Sequence, residues 1–127
     1  MTFNLSSKSQ LKLSLVHPDL QKVVEAAIRV STVEFIVTEG IRTLARQEEL
    51  LKARATTTMN SRHLSGHAVD VAAIVNNKAD WHPQLYEYIS HAMLAEAAKL
   101  QIPIVYGGNW VSFKDFCHYE LNRRFYP

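Results

Sequence analysis

The sequence predicts an α+β fold with a small, largely antiparallel sheet and about three helices. Three observations carry that expectation. Stretches following Pro18 and Pro83 hold apolar residues at helical spacing. VEFIV (33–37) and AVDVAAIV (68–75) are β-branched, apolar runs of strand length. Helices and strands then mix without a regular βαβ rhythm, which argues against a parallel sheet.

In chain order, MTFNLSSKSQLKLSLVH alternates polar and apolar residues and receives no element. After Pro18, Leu20, Val23, Val24, Ala27 and Ile28 form one stripe, so this segment is a helix. VEFIV is a buried strand that Gly40 ends. TLARQEELLKA (43–53) is a second helix, with Thr43 as its cap. Residues 54–67, rich in Thr, Ser, Asn, Gly and His, form a long loop. AVDVAAIV is the next strand, and NNKADWH a turn or loop. Residues 83–100 form the third helix, whose inner face is Leu85, Ile89, Ala92, Met93, Ala97 and Leu100. IPIVYGG (102–108) is a short strand closed by two glycines, and HYEL (118–121) the last strand.

A chain of 127 residues points to a single domain spanning 1–127, with no separate wall-binding module. A chain of this length buries about two-thirds of its surface, enough for one ordinary core. With 47% apolar and 20% charged residues, disorder is not the default. Lys and Arg number 14 against 12 Asp and Glu, and a net charge of +2 is too mild to imply nucleic acid. The one cysteine, Cys117, excludes an internal disulfide and any multi-cysteine zinc module. The N-terminus lacks the apolar core of a signal peptide, and no apolar run approaches the ~20 residues that cross a membrane.

The chemistry concentrates in SRHLSGHAVDV (61–71). Gly66 favours a turn, so His63 lies on a loop and Asp70 on the strand that follows. On that strand Ala68 and Asp70 face one way, Val69 and Val71 the other. A buried carboxylate without a partner is costly, and a cation beside it removes the cost. Imidazole plus carboxylate begins a zinc site, and catalytic zinc takes three protein ligands with one position open. In DFCHYEL (115–121), His118 is the natural third ligand. Glu120 shares its strand face by period two. Asp115, three residues before His118, is placed to move a proton.

Ser61-x-His63-x-x-Gly66-x-Ala68-x-Asp70, followed by Asp115-x-x-His118-x-Glu120, resembles the zinc peptidases of the D-alanyl-D-alanine carboxypeptidase family. Within it the pattern is most similar to bacteriophage L-alanyl-D-glutamate endopeptidase endolysins. Thr38-x-Gly40-x-Arg42, followed by Arg46-Gln47, resembles the family's strand-to-helix region. Carboxypeptidase relatives have Glu where this chain has Asp115. Cys117 departs from both branches, which carry Trp or Pro before the third ligand. The resemblance implies a fold like that of Hedgehog and D,D-peptidase domains. It implies one zinc ion on His63, Asp70 and His118, with Asp115 as acid/base. Arg42 would bind the substrate carbonyl or carboxylate and steady the oxyanion. Ser61 would line the site or support His63, and Glu120 would hold a ligand or a water. The implied substrate is the stem peptide of bacterial peptidoglycan, cut between L-alanine and D-glutamate by a monomer. The implied setting is phage lysis: the enzyme waits in the host cytoplasm until a separate holin admits it to the wall.

Blander readings stand beside these. His63 and His67 are four apart, but Leu64 occupies the place where an H-E-x-x-H protease needs Glu. Cys117 next to His118 could suggest a nucleophilic pair, yet neighbours on a strand face opposite ways. Arg42 could simply pair with Glu39 or Glu48. His17, His82 and His91 have no ligand-like context. Trp81, Tyr86, Tyr88 and Trp110 invite a sugar-stacking role; Tyr88 reads as helix packing and Trp110 as wall contact or core. Three rival functions follow: a D,D-carboxypeptidase or dipeptidase, a non-catalytic zinc-binding recognition module like the Hedgehog signalling domain, and a structural zinc domain closed by Glu120.

Overall fold

The computed structural model describes residues 2–54, 61–112 and 114–127. Among them the order is α1 (Ser7–Leu13), α2 (Pro18–Val30), β1 (Glu34–Glu39), α3 (Leu44–Lys52), β2 (Ala68–Val75), β3 (Lys78–Asp80), α4 (Pro83–Leu100), β4 (Ile104–Tyr106), a 3-10 turn at Gly107–Asn109, and β5 (His118–Leu121). The α+β expectation holds, with four helices rather than about three. The sheet runs β1-β2-β5-β4, with β3 also on β2, and every pairing is antiparallel.

The additional helix is α1. Seven residues carry too little periodicity to be read from sequence, and a helix this short is marginal alone. Ser6 caps it by accepting from the Ser9 N–H at 3.1 Å. Tertiary contacts do the rest. The Val37 N–H donates to the buried Ser9 hydroxyl at 2.9 Å, and Lys12 Nζ donates to the Thr38 carbonyl at 3.1 Å.

NNKADWH is likewise more ordered than a loop. Asn76 and Asn77 both take left-handed backbone, φ 52° and 63°, and close a hairpin between β2 and β3. Asn tolerates that region better than other non-glycine residues.

The stripe on α2 is buried as the spacing requires. It packs with Ile89, Met93 and Ala97 of α4 and with Phe35, Val37, Val69, Val71, Tyr119 and Leu121 of the sheet. On α4 the inner face is rotated slightly from expectation. Tyr86 is 2% exposed, whereas Tyr88 is 44% exposed and Leu100 lies outside the core. The Tyr86 hydroxyl explains its place: it donates to the Asp80 carbonyl at 2.9 Å and accepts from the Ala73 N–H at 3.1 Å. Tyr86 is therefore packing rather than a sugar platform, and Tyr88 is not the packing residue.

Candidate metal centre

Period-two alternation on β2 and β5 sets Ala68, Asp70, His118 and Glu120 opposite the core face. Antiparallel register pairs Asp70 with His118 and Ala68 with Glu120. Residues distant in the chain therefore meet on adjacent strands. His63 arrives from the turn before β2. That turn is pinned by three backbone bonds: Arg42 N–H to the His63 carbonyl at 2.8 Å, His67 N–H to the Arg62 carbonyl at 3.0 Å, and His17 N–H to the Gly66 carbonyl at 2.8 Å. Gly66 sits at φ +74°, a conformation that favours glycine. Residues 55–60, the first part of the expected long loop, lie outside the described residues.

One ligand atom from each of His63, Asp70 and His118 lies within 4.8 Å of the others, so the group could hold a metal ion. Asp70 Oδ1 is 3.2 Å from His63 Nε2 and 3.1 Å from His118 Nδ1. The far nitrogen of each ring is already engaged. His63 Nδ1–H donates to the Gly40 carbonyl at 2.8 Å. His118 Nε2–H donates to Glu120 Oε1 at 2.8 Å. With Nδ1 donating, a neutral His63 presents only a lone pair at Nε2. That atom is buried and has no hydrogen-bond partner. A lone pair aimed at a carboxylate oxygen is unfavourable unless a cation lies between them. Two imidazole nitrogens and a carboxylate oxygen suit a divalent transition ion.

Electrostatics agree with that geometry. Burial opposes ionisation of Asp70, yet His118, hydrogen-bonded to it, and the neighbouring His63 ring hold its carboxyl well below the usual range. Burial also disfavours a charged His118, but Asp70 and Glu120 outweigh it and raise the imidazole to about 9. Asp70, which favours positive charge there, is equally suited to a metal cation. Glu120 stands behind His118, and its Oε2 lies 3.9 Å from Arg62 Nε and 3.8 Å from Arg123 Nε. It is not in the ligand-distance group, so a coordination sphere closed by Glu120 gains no support.

Asp115 is brought to the same place by Gly107. Its N–H donates to the Gly107 carbonyl at 3.0 Å. A Cβ on Gly107 would stand 2.5 Å from the Asp115 carbonyl oxygen and 3.1 Å from His118 Cβ. Only glycine lets this segment lie so close. Asp115 Oδ1 accepts from the Cys117 N–H at 3.2 Å. Burial, and then the charge of Asp70, raise its carboxyl above the ordinary range. Such a shift suits a group that must take and return a proton.

Arg42 lies against Asp70. Its Nε and Nη2 each donate to Glu39 at 2.6 Å, and Nη1 donates to Gln47 at 2.6 Å and Ser61 at 3.4 Å. Nη2 also lies 3.9 Å from Asp70 Oδ2. The simple pairing with Glu39 is thus real, and it occurs beside the site. Ser61 Oγ also accepts from the His63 N–H at 3.2 Å. Gln47 is the fully buried residue of α3, where Leu50 is half-buried and the others are exposed. Sequence reasoning gave neither Glu39 nor Gln47 a part in the site. The available signals were the Arg46-Gln47 pair of the resemblance and the plain Glu39–Arg42 pairing.

The remaining candidates sort clearly. Trp110 lies beside His118, ring centroids 5.1 Å apart and tilted by 45°. Burial, Asp115 and Asp70 push the Cys117 thiol up to about 11, so it stays protonated and is a poor nucleophile. His67 bonds Ser65 Oγ at 2.7 Å and packs on His17. It is not in the ligand-distance group. His17 accepts from the Asp19 N–H at the start of α2. His82 pairs with Asp80 at 2.7 Å.

Comparison with known proteins follows the same lines. The family model for phage L-alanyl-D-glutamate peptidases matches residues 1–127. The L-alanyl-D-glutamate peptidase of Escherichia phage T5 is 30% identical across 99% of this chain and 94% of its own. That of Listeria phage A118 is 30% identical across 74% of this chain and 32% of its own. Among solved structures, the L-Ala D-Glu endopeptidase ChiX of Serratia marcescens superposes with a TM-score of 0.93. It is 40% identical, with 100% of this chain and 94% of that chain covered.

Proposed function

The chain belongs to the phage L-alanyl-D-glutamate peptidase family and is a peptidoglycan endopeptidase, and on that premise we propose that it cuts the L-alanyl-D-glutamate bond of the stem peptide with one zinc ion on His63, Asp70 and His118. The observation that carries the metal reading is the buried, partnerless His63 Nε2 aimed at Asp70 Oδ1. Zinc suits the donor set, since three N/O ligands with an open position are its catalytic arrangement. When bound, zinc would polarise the scissile carbonyl and acidify the attacking water.

The chain's own groups supply the proton transfers and the orientation. Asp115, its carboxyl raised by burial and by Asp70, takes the proton from the attacking water. As the C–N bond breaks, it passes that proton to the departing D-glutamate amine. L-alanine is left as a carboxylate, and the proton of the added hydroxyl goes to the freed amine, which departs as the ammonium. Arg42 faces the developing negative charge with the second N–H of Nη2, the first being taken by Glu39. Ser61 holds the backbone of His63 and one corner of Arg42. Glu120 fixes which His118 nitrogen is free to bind metal. Trp110 beside His118 is placed to touch the peptide or its sugar.

One chain supplies every one of these groups, which supports a monomer. No helix among the described residues is long and apolar enough to cross a membrane. We place action at the wall after a separate holin opens the membrane, in keeping with the phage relatives.

The test is digestion of purified Gram-negative peptidoglycan by zinc-loaded protein, with products identified by mass spectrometry. Peptides beginning with D-glutamate, absent with a chelator, are expected. Free D-alanine would move the chain to carboxypeptidase chemistry. Intact wall after treatment with folded, zinc-loaded protein would favour a recognition module.

A further inference from the structure

Arg42 presents a problem of competition. A guanidinium beside a carboxylate normally closes on it through two short, parallel bonds. Here Nη2 stops 3.9 Å from Asp70 Oδ2, although both groups are largely buried. Asp70 must keep its lone pairs for a cation shared with His63 and His118. Something therefore holds Arg42 back.

The restraint is visible. Glu39 takes Nε and Nη2 together at 2.6 Å each, the side-on grip that fixes a guanidinium plane. Gln47 takes Nη1 at 2.6 Å from the buried side of α3. Glu39 is paired in register with Asp70 across β1 and β2, at an irregularity between Val37 and Glu39. That shift in register brings the two carboxylates to either side of one guanidinium. Glu39 also offsets the positive charge that would otherwise stand next to a metal ion.

Resting on the zinc reading above, we propose that Glu39 is a positioning residue of the metal centre. It tethers Arg42 and so keeps Asp70 available to the cation. Without the tether, Arg42 closes on Asp70 and competes with the metal for the carboxylate.

Glu39→Gln keeps the shape and removes the charge and half of the grip. Zn²⁺ affinity, measured by competition with a chromophoric chelator, is expected to fall about tenfold, the scale of lost outer contacts at metal sites. The double variant Glu39→Gln/Arg42→Met removes the competitor as well. It should recover Zn²⁺ affinity to within about threefold of the parent while remaining poorly active. A merely structural Glu39 would not give that rescue, because a second substitution would only add damage. Unchanged affinity in folded Glu39→Gln, or no recovery in the double variant, overturns the proposal. If the parent binds Zn²⁺ and cuts wall while either result is seen, the zinc reading stands and only the tether falls. A folded parent that binds no Zn²⁺ overturns both.

Discussion

On one face of β2 and β5, Val69, Val71, Tyr119 and Leu121 join the side chains of α2 and α4 in the apolar core. On the other face of the same two strands, Asp70, His118 and Glu120 form a chain of polar contacts between 2.8 and 3.1 Å. The two sets alternate residue by residue, so a single register fixes both. A slip of one residue would bury the carboxylates in the core and expose the valines. The apolar face therefore enforces the geometry of the polar one. It also predicts that stability and chemistry can be damaged separately, one face at a time.

The sharpest separation lies within the polar face. His63→Ala should abolish zinc occupancy and activity together. Asp115→Ala should keep zinc yet lose about 10²–10⁴ in turnover, the usual contribution of a positioned acid/base. Elemental analysis and wall digestion on the same samples decide this. An Asp115→Ala enzyme with the parent's rate would remove Asp115 from the proton path.

These residues were legible because their chemistry forces unusual types into fixed spacing. A carboxylate alone among apolar neighbours at Asp70, and His118 and Glu120 two apart on a short strand, are visible without coordinates. The two long helices were legible because burial on one side imposes periodicity, and β2 because its apolar run has strand length. What stayed hidden depends on contacts across the chain. The short helix α1 is held by bonds from Val37 and Thr38, not by its own pattern. Tyr86 is buried because its hydroxyl meets Ala73 and Asp80. Gly107 looked like a strand terminator, whereas its role is to let Asp115 lie against His118. The Glu39–Arg42 pair, three residues apart, was open to the sequence; its place beside Asp70 needs the β1–β2 register, which no local window contains.

Leu121→Ala tests the apolar face. Leu121 is fully buried, and its truncation should cost about 2–5 kcal/mol of stability, read as a lower midpoint in urea. Below that transition, zinc affinity and the rate per folded molecule should match the parent. Loss of zinc in still-folded Leu121→Ala would show that the faces are not separable at this strand, since its neighbour Glu120 would have moved.

Glu120→Gln is the subtlest break. Gln keeps an oxygen that can accept from His118 Nε2–H, so the ring orientation survives. What goes is the negative charge behind the imidazole, which makes Nδ1 a better donor to metal. The same charge faces Arg62 and Arg123, whose positive charge would then bear more strongly on His118. Zinc affinity should fall about 10- to 100-fold, while the unfolding midpoint shifts far less than in Leu121→Ala. Activity should return at saturating zinc, because Glu120 acts through the ligand rather than on the substrate. A variant that binds zinc as the parent does, yet is inactive, would instead place Glu120 on the substrate or its water. That would turn the polar face from a ligand held from behind into a site with two working carboxylates.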